Sequence, residues 1–179
     1  TEFDKQIVDA TLAPDENKGD LKDEGVGLVT IAHEQMAPKI HPIAVEKSFE
    51  VAFENVDYTL VVVPDVITKR GLHEIKTSGK TPSEISQDHI LQGSAQVLAT
   101  GLNEVSFEYL IKTKKPKYLP LTRTFHEEDQ AFLLGLLAKV HSSIRTGVFI
   151  PNRASWACSK RQCGFWQKCV QANHGVVRD

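Results

Sequence analysis

The chain is poor in the residues that build cross-linked or membrane-embedded proteins. Among 179 residues there are three cysteines, one methionine and two tryptophans. Three is an odd cysteine count, and all three lie in the last quarter of the chain, which does not suit the paired framework of a small secreted domain. The longest unbroken apolar run, Leu60 to Pro64, is far below the roughly 18 residues that a membrane span needs. No basic-then-apolar leader opens the sequence. A cytoplasmic protein without a membrane partner is the expectation. Several chemistries also lack their motifs. Gly71, Gly79 and Gly93 stand alone and make no phosphate-cradling loop. There is no G-x-S-x-G elbow, and His33-Glu34 lacks the second histidine of H-E-x-x-H.

What is present describes an ordinary globular chain, 41% hydrophobic and 25% charged, of a length suited to one domain over 1–179. The net charge of −2 hides a division. Residues 1–57 carry 13 acidic and 5 basic side chains, and the remainder carries 10 acidic and 16 basic ones. A basic C-terminal two-thirds can present a positive face to a polyanion, although such halves are often solvated surface only.

The segment Ala13 to Gly19 reads as a loop, and Gly25 to Lys39 fits a helix loosely. Phe49, Val51 and Phe53 alternate with Glu50, Ala52 and Glu54, the period of a half-buried strand. A turn at Asn55 to Asp57 leads into a β-branched run, Tyr58 to Val63. A second turn at Lys69-Arg70-Gly71 leads into a third strand, Leu72 to Thr77. These three are expected to form an antiparallel meander. A helix follows over Ile90 to Gly101, then a strand over Val105 to Lys112. Thr124 and Glu127 match a capping box ahead of a helix ending near Gly147. The order β-β-β-α-β-α predicts an α/β domain with a mixed central sheet flanked by helices.

Side chains at i and i+2 on a strand share a face, so Glu74 and Lys76 point together. The turn at Lys69 to Gly71 brings Asp65, at the end of the second strand, close to Glu74. Paired carboxylates suit a hard divalent ion such as Mg²⁺ or Mn²⁺, which can polarise a phosphate oxygen and acidify a bound water. A neighbouring lysine can position that water. The plainer alternative is a solvated strand face with cross-strand pairs. In the tail, Cys158, Cys163 and Cys169, beside Trp156, Phe165 and Trp166, offer three soft ligands for Zn²⁺ or an iron–sulfur cluster. Zinc recruiting His174, or buried thiols without a metal, are the alternatives.

The segments VVVPDVIT (61–68), LHEIKTSGK (72–80), QDHILQGSAQVLA (87–99) and NRASWACSKRQCGFWQKC (152–169) resemble the PD-(D/E)xK nucleases, specifically the RecB-like and phage-type exonucleases. The resemblance covers roughly residues 40–170. It implies a restriction-endonuclease-like core in which Asp65, Glu74 and Lys76 are catalytic, with the Ile75 backbone carbonyl joining Asp65 and Glu74 as a metal ligand. It also implies that Gln92 faces the active site. The family's tyrosine four residues later falls on Gln96, a departure; Gln92 and Gln96 as one polar stripe of a surface helix is the plain alternative. The resemblance further implies a [4Fe–4S] cluster on Cys158, Cys163 and Cys169 plus a distant upstream cysteine. The first residue is Thr1 and not Met, and an N-terminal part of the family domain is expected to be missing, with the upstream cysteine and metal-binding histidine. His33 and His41 do not match the family's helix. Lys80, Lys112, Lys114, Lys115, Lys117 and Arg123 are expected to hold DNA phosphates. The implied function is a metal-dependent deoxyribonuclease of phage or bacterial recombination and repair, working in the cytoplasm of a bacterial or phage-infected cell, with a helicase or recombination protein as a possible partner. The alternative is an inactive DNA-binding or scaffold module that keeps the nuclease fold and the cluster.

Overall fold

The computed structural model describes residues 17–53, 57–149, 152, 155 and 157–172. The chain divides into two compact units, one up to Leu133 and one from Leu134 onward, each described by itself.

In the first unit, helix α1 spans Lys18–Ile31. The Asn17 side chain caps it by accepting from the Asp20 N–H at 2.8 Å. The coil continues as a π turn, Ala32–Met36, and a 3-10 turn, Ala37–Lys39, where Pro38 ends it. The helix therefore begins earlier than Gly25, because the Asn17 cap starts it ahead of the glycines.

Seven strands follow: β1 Ala44–Val45, β2 Phe49–Ala52, β3 Thr59–Val62, β4 Val66–Ile67, β5 Leu72–Ser78, β6 Glu104–Ile111 and β7 Lys117–Thr124. Helix α2, Gln87–Thr100, carries the chain from β5 to its parallel neighbour β6. The main sheet has the order β1-β4-β5-β6-β7, with β5–β6 parallel and the other pairs antiparallel. The fold class is the expected one, α/β with a mixed sheet flanked by helices.

Two expectations are corrected. The three strands do not form one meander: β2 and β3 pair only with each other, and β5 pairs instead with the short β4. Pro64 has no N–H to give a ladder, and the chain leaves the β2–β3 hairpin there before re-entering the main sheet at Val66. The expected order β-β-β-α-β-α has no strand between β6 and the last helix, and KYLPLTRT, with Pro120 in it, supplies β7 there. It is tolerated as the edge strand, where the missing donor leaves no neighbour unbonded.

β6 is an interior strand, buried from Val105 to Ile111 on both faces. On one face Leu72, Val105, Phe107, Tyr109 and Ile111 pack with Ile67, Val97 and Phe125 as the core. Helix α2 lies between this face and the β2–β3 hairpin, so it is buried on several sides. Gly101 ends it in the left-handed conformation (φ 74°), its N–H bonding the Val97 carbonyl at 2.9 Å. Gly93 is required for close approach: a Cβ there would stand 3.0 Å from Phe125 Cε2 and closer still to Cζ.

On the other face, against which α1 packs, Glu108 is 2% exposed. It accepts from Tyr118 Oη at 2.5 Å and bonds His73 Nδ1 at 2.7 Å. Burial works to raise its pKa, but the hydrogen bonds from His73, Tyr118 and Ser106 outweigh it and hold the carboxyl below its ordinary value. Tyr118 is pushed up, by burial first and then by its bond to Glu108.

Helix α3, Glu127–Arg145, starts later than the capping box implied. Thr124 is the last residue of β7, and Asp129 reaches back to accept from the His126 N–H at 3.0 Å. In the second unit α3 runs on to a turn at Gly147 (φ 71°), and a short helix α4 covers Trp166–Ala172. The expected Asn55 turn, Trp156 and His174 lie outside the described residues. Among the described residues no helix is long and apolar enough to cross a membrane.

Gly93→Ala is expected to destabilise the fold by about 1–3 kcal/mol through overpacking against Phe125, read from urea denaturation. Glu108→Gln is expected to cost about 1–3 kcal/mol near neutral pH, because a buried acceptor is replaced by an amide that also needs an acceptor. Glu108 is depressed in the fold, so its contribution is full above the ordinary value of 4.5 and lost as pH falls through the lower folded value. The two proteins should converge in stability in acid; a gap that persists there rules the ionic account out.

Candidate active site

Strand alternation on β5 sends Glu74 and Lys76 to the face covered by α2, and His73 to the Glu108 face. The Thr68–Gly71 turn, closed by the Thr68 N–H on the Gly71 carbonyl at 2.9 Å, folds β4 back on β5. This sets Asp65, just before β4, beside Glu74. Two reciprocal bonds tie them: the Asp65 N–H donates to Glu74 Oε1 at 3.1 Å, and Asp65 Oδ2 accepts from the Ile75 N–H at 2.8 Å.

Glu74 is 1% exposed, and a carboxylate so buried must be matched by donors. Four are present. On Oε1 are the Asp65 N–H and Gln96 Nε2. On Oε2 are Lys76 Nζ at 3.0 Å and Gln92 Nε2 at 2.6 Å. Gln92 Oε1 in turn accepts from Lys76 at 2.8 Å, closing a triangle among Glu74, Lys76 and Gln92. Asp65, Glu74, Lys76 and Gln92 are thus brought together as the strand pattern and the resemblance implied.

The sequence reading missed three contributors. Gln96 is a partner of Glu74 and is itself 1% exposed, with an Oε1 that has no hydrogen-bond partner among the described residues. Neither it nor Gln92 belongs to the polar stripe of a surface helix. His89 is one turn earlier on the same helix face. Its ring stacks on Phe107 (centroids 5.6 Å, 16°) and its Nδ1 lies 2.7 Å from Tyr109 Oη. Burial, and then the Lys76 charge, hold His89 below its ordinary value, while Asp88 and Glu74 work the other way. The signal available in sequence was the spacing 89, 92, 96, which places three polar side chains on one helix face. Glu46 has the left-handed φ of 46°, its N–H bonds the Asp65 carbonyl at 3.0 Å, and its charge reaches Asp65. No periodic pattern marks it.

Asp65 is raised above its ordinary value of 3.8, chiefly by burial; the Ile75 bond opposes this, and the Glu74 charge adds to it. The hard oxygens of Asp65 and Glu74 fit Mg²⁺ or Mn²⁺, ions that are commonly held by one or two carboxylates with water completing the shell. Among the described residues no group of three His, Cys, Asp or Glu side chains is arranged to hold a metal. Cys158, Cys163 and Cys169 are half-buried and do not form such a group.

The proposed phosphate ligands separate into two places. The Lys112 N–H bonds the Ser78 carbonyl at 2.7 Å, so the β6–β7 turn lies beside the end of β5. Lys80, Lys114, Lys115 and Lys117 are exposed, and Lys112 pairs with Glu24 at 3.3 Å. Arg123 stands apart, about 20 Å along β7 from Lys117 at the usual rise per residue. There it pairs with Asp129 at 2.6 Å and lines an open cleft of about 420 Å³ with Ser86, Gln87, Ile90 and Thr122.

No family model and no curated protein matches the chain. Among solved structures it is similar to a candidate exonuclease of Eubacterium rectale, with a TM-score of 0.60 and 12% identity over 98% of this chain and 73% of that one. At that identity the likeness is one of fold. The structure of the protein named SSO0001 aligns with a TM-score of 0.47 and 17% identity, over 82% of this chain and 65% of that one.

The raised Asp65 carboxyl leads to a stability prediction. Above its folded value the native state bears the full penalty of an ionised, partly buried acid; below 3.8 the group is neutral in both states and the penalty is gone. Asp65→Asn keeps an acceptor for the Ile75 N–H, and is expected to melt at a higher temperature than the parent at pH 7, with the advantage vanishing as pH falls toward 3.8. A variant that melts lower at pH 7 would contradict burial as the dominant cause.

Proposed function

We propose that this protein is a metal-dependent deoxyribonuclease of the PD-(D/E)xK type. The observation that carries the reading is the buried Glu74 carboxylate joined to Asp65, Lys76 and Gln92 beneath the middle of α2. Folding alone does not call for a carboxylate in that place; an apolar residue of similar size would need no such set of donors. The exonuclease description given to the Eubacterium rectale protein of the same fold supports the reading.

Asp65 and Glu74 would hold the ion, with the Ile75 carbonyl as a further oxygen. When bound, a divalent cation polarises a phosphate oxygen and lowers the pKa of a water. The Lys76 ammonium, a three-proton donor, orients the attacking water and offsets charge that builds on the phosphate. Gln92 accepts from Lys76 and so aims it. The exposed lysines of the β6–β7 turn and Lys80 hold backbone phosphates, an interaction that weakens with salt. A second reading, an inactive DNA-binding module, is favoured by one observation: each oxygen of Glu74 already accepts two hydrogen bonds.

Incubation of the purified protein with linear DNA is expected to give cleavage in Mg²⁺ or Mn²⁺ that EDTA stops. Glu74→Gln should slow it at least about 100-fold, the scale of losing an electrostatic catalytic group. DNA binding without cleavage in either ion would select the second reading. Changing Lys114 and Lys115 to Gln should lower DNA affinity and flatten its salt dependence by roughly 0.9 for each phosphate that is no longer neutralised.

A further inference from the structure

We propose that Gln96 is a positioning residue that tethers the inner oxygen of Glu74 while the outer oxygen changes partners during turnover. The inference rests on the nuclease reading and concerns a residue to which that reading gives no role.

The two oxygens of Glu74 have different company. Oε2 is held by Lys76 and Gln92, and the Lys76 side chain is 20% exposed, with a long flexible stem that can swing away. Oε1 is held by the Asp65 backbone N–H and by the buried Gln96. Gln96 is 1% exposed on a helix wedged between the sheet and the β2–β3 hairpin, so its amide has nowhere else to go. One edge of the carboxylate is therefore fixed and the other exchangeable. A ligand that must accept a cation, release Lys76 and keep its plane needs this division of labour.

The other end of the same amide adds a second line of argument. Gln96 Oε1 is buried and has no hydrogen-bond partner among the described residues. A residue present only to fill space would be better met by Leu or Met, which leave no orphaned carbonyl in the interior. Gln96 is therefore retained for its donor, and its donor goes to Glu74. With Lys76 swung away and Gln96 removed, only the Asp65 N–H on Oε1 and Gln92 on Oε2 would still hold the carboxylate.

Gln96→Met removes the donor and nearly keeps the shape. Mn²⁺ binding to the full chain, followed by calorimetry, is expected to weaken by about 10–100-fold, the usual loss when an outer partner of a metal ligand is removed. The melting temperature should change little, because the buried carboxylate loses one of its four donors while the orphaned carbonyl disappears, and KM for DNA should stay while kcat falls. Unchanged Mn²⁺ affinity in a folded variant would overturn the tether and leave the nuclease reading intact. If Gln96→Met does not fold, Gln96→Leu replaces it; failure of both to fold makes Gln96 a packing residue, which also overturns the proposal. A parent protein that takes up no Mn²⁺ removes the nuclease reading itself, and this inference with it.

Discussion

A carboxylate sealed in the interior of a small domain is the constraint on which the rest of this structure depends. Glu74 sits beside Phe107 in the strand register and is 1% exposed. An unmatched ion there would cost several kcal/mol, of the order of the whole stability of a domain. Its neighbours have to supply donors, and the geometry follows. Helix α2 must lie with Gln92 and Gln96 over β5, which presses Gly93 onto the Phe125 ring. The chain between β3 and β4 must turn so that the Asp65 N–H meets Oε1. The reciprocal bond from Ile75 then holds the second acid at the first one's side.

The sheet contains a second buried acid, and the contrast is instructive. Glu108 is met by His73 and Tyr118, with Ser106 adding to them, and its carboxyl is held low. That network is a closed structural seam between β5, β6 and β7. Glu74 instead has a lysine whose stem reaches partly into solvent, and beside it an acid that burial has pushed up. Poorly settled ionisable groups gathered in one place are the mark of a site asked to do chemistry. The same fold thus holds two buried carboxylates in different company, on opposite faces of the sheet.

Charge is arranged in keeping with this. The lysines at 112, 114, 115 and 117 fall on a turn whose backbone is tied to Ser78, two residues beyond Lys76. A polyanion held there would lie near the end of β5, the strand that carries Glu74 and Lys76. Arg123, at the other end of β7, is already committed to Asp129 and belongs to a different surface.

The sequence by itself determined what depends on neighbours along the chain. Glu74 and Lys76 share a face because strand alternation is local; the α2 and β6 patterns are periodic over several residues, and Gly101 and Gly147 stop their helices by backbone freedom alone. The resemblance of short segments pointed to Asp65 and Gln92. What it did not determine is everything decided by pairing at a distance. The run from Tyr58 to Val63 has the composition of a strand next to β5, yet pairs with β2, because Pro64 interrupts the ladder. Strand β7, with its proline, becomes a strand only because β6 offers an edge. Gln96 reads as an ordinary polar helix residue until α2 is covered on both sides, when its amide is left 22 positions along the chain from the one carboxylate that needs it. Local torsional preference is legible in a sequence; which buried polar group meets which is settled only when the tertiary fold removes water from both.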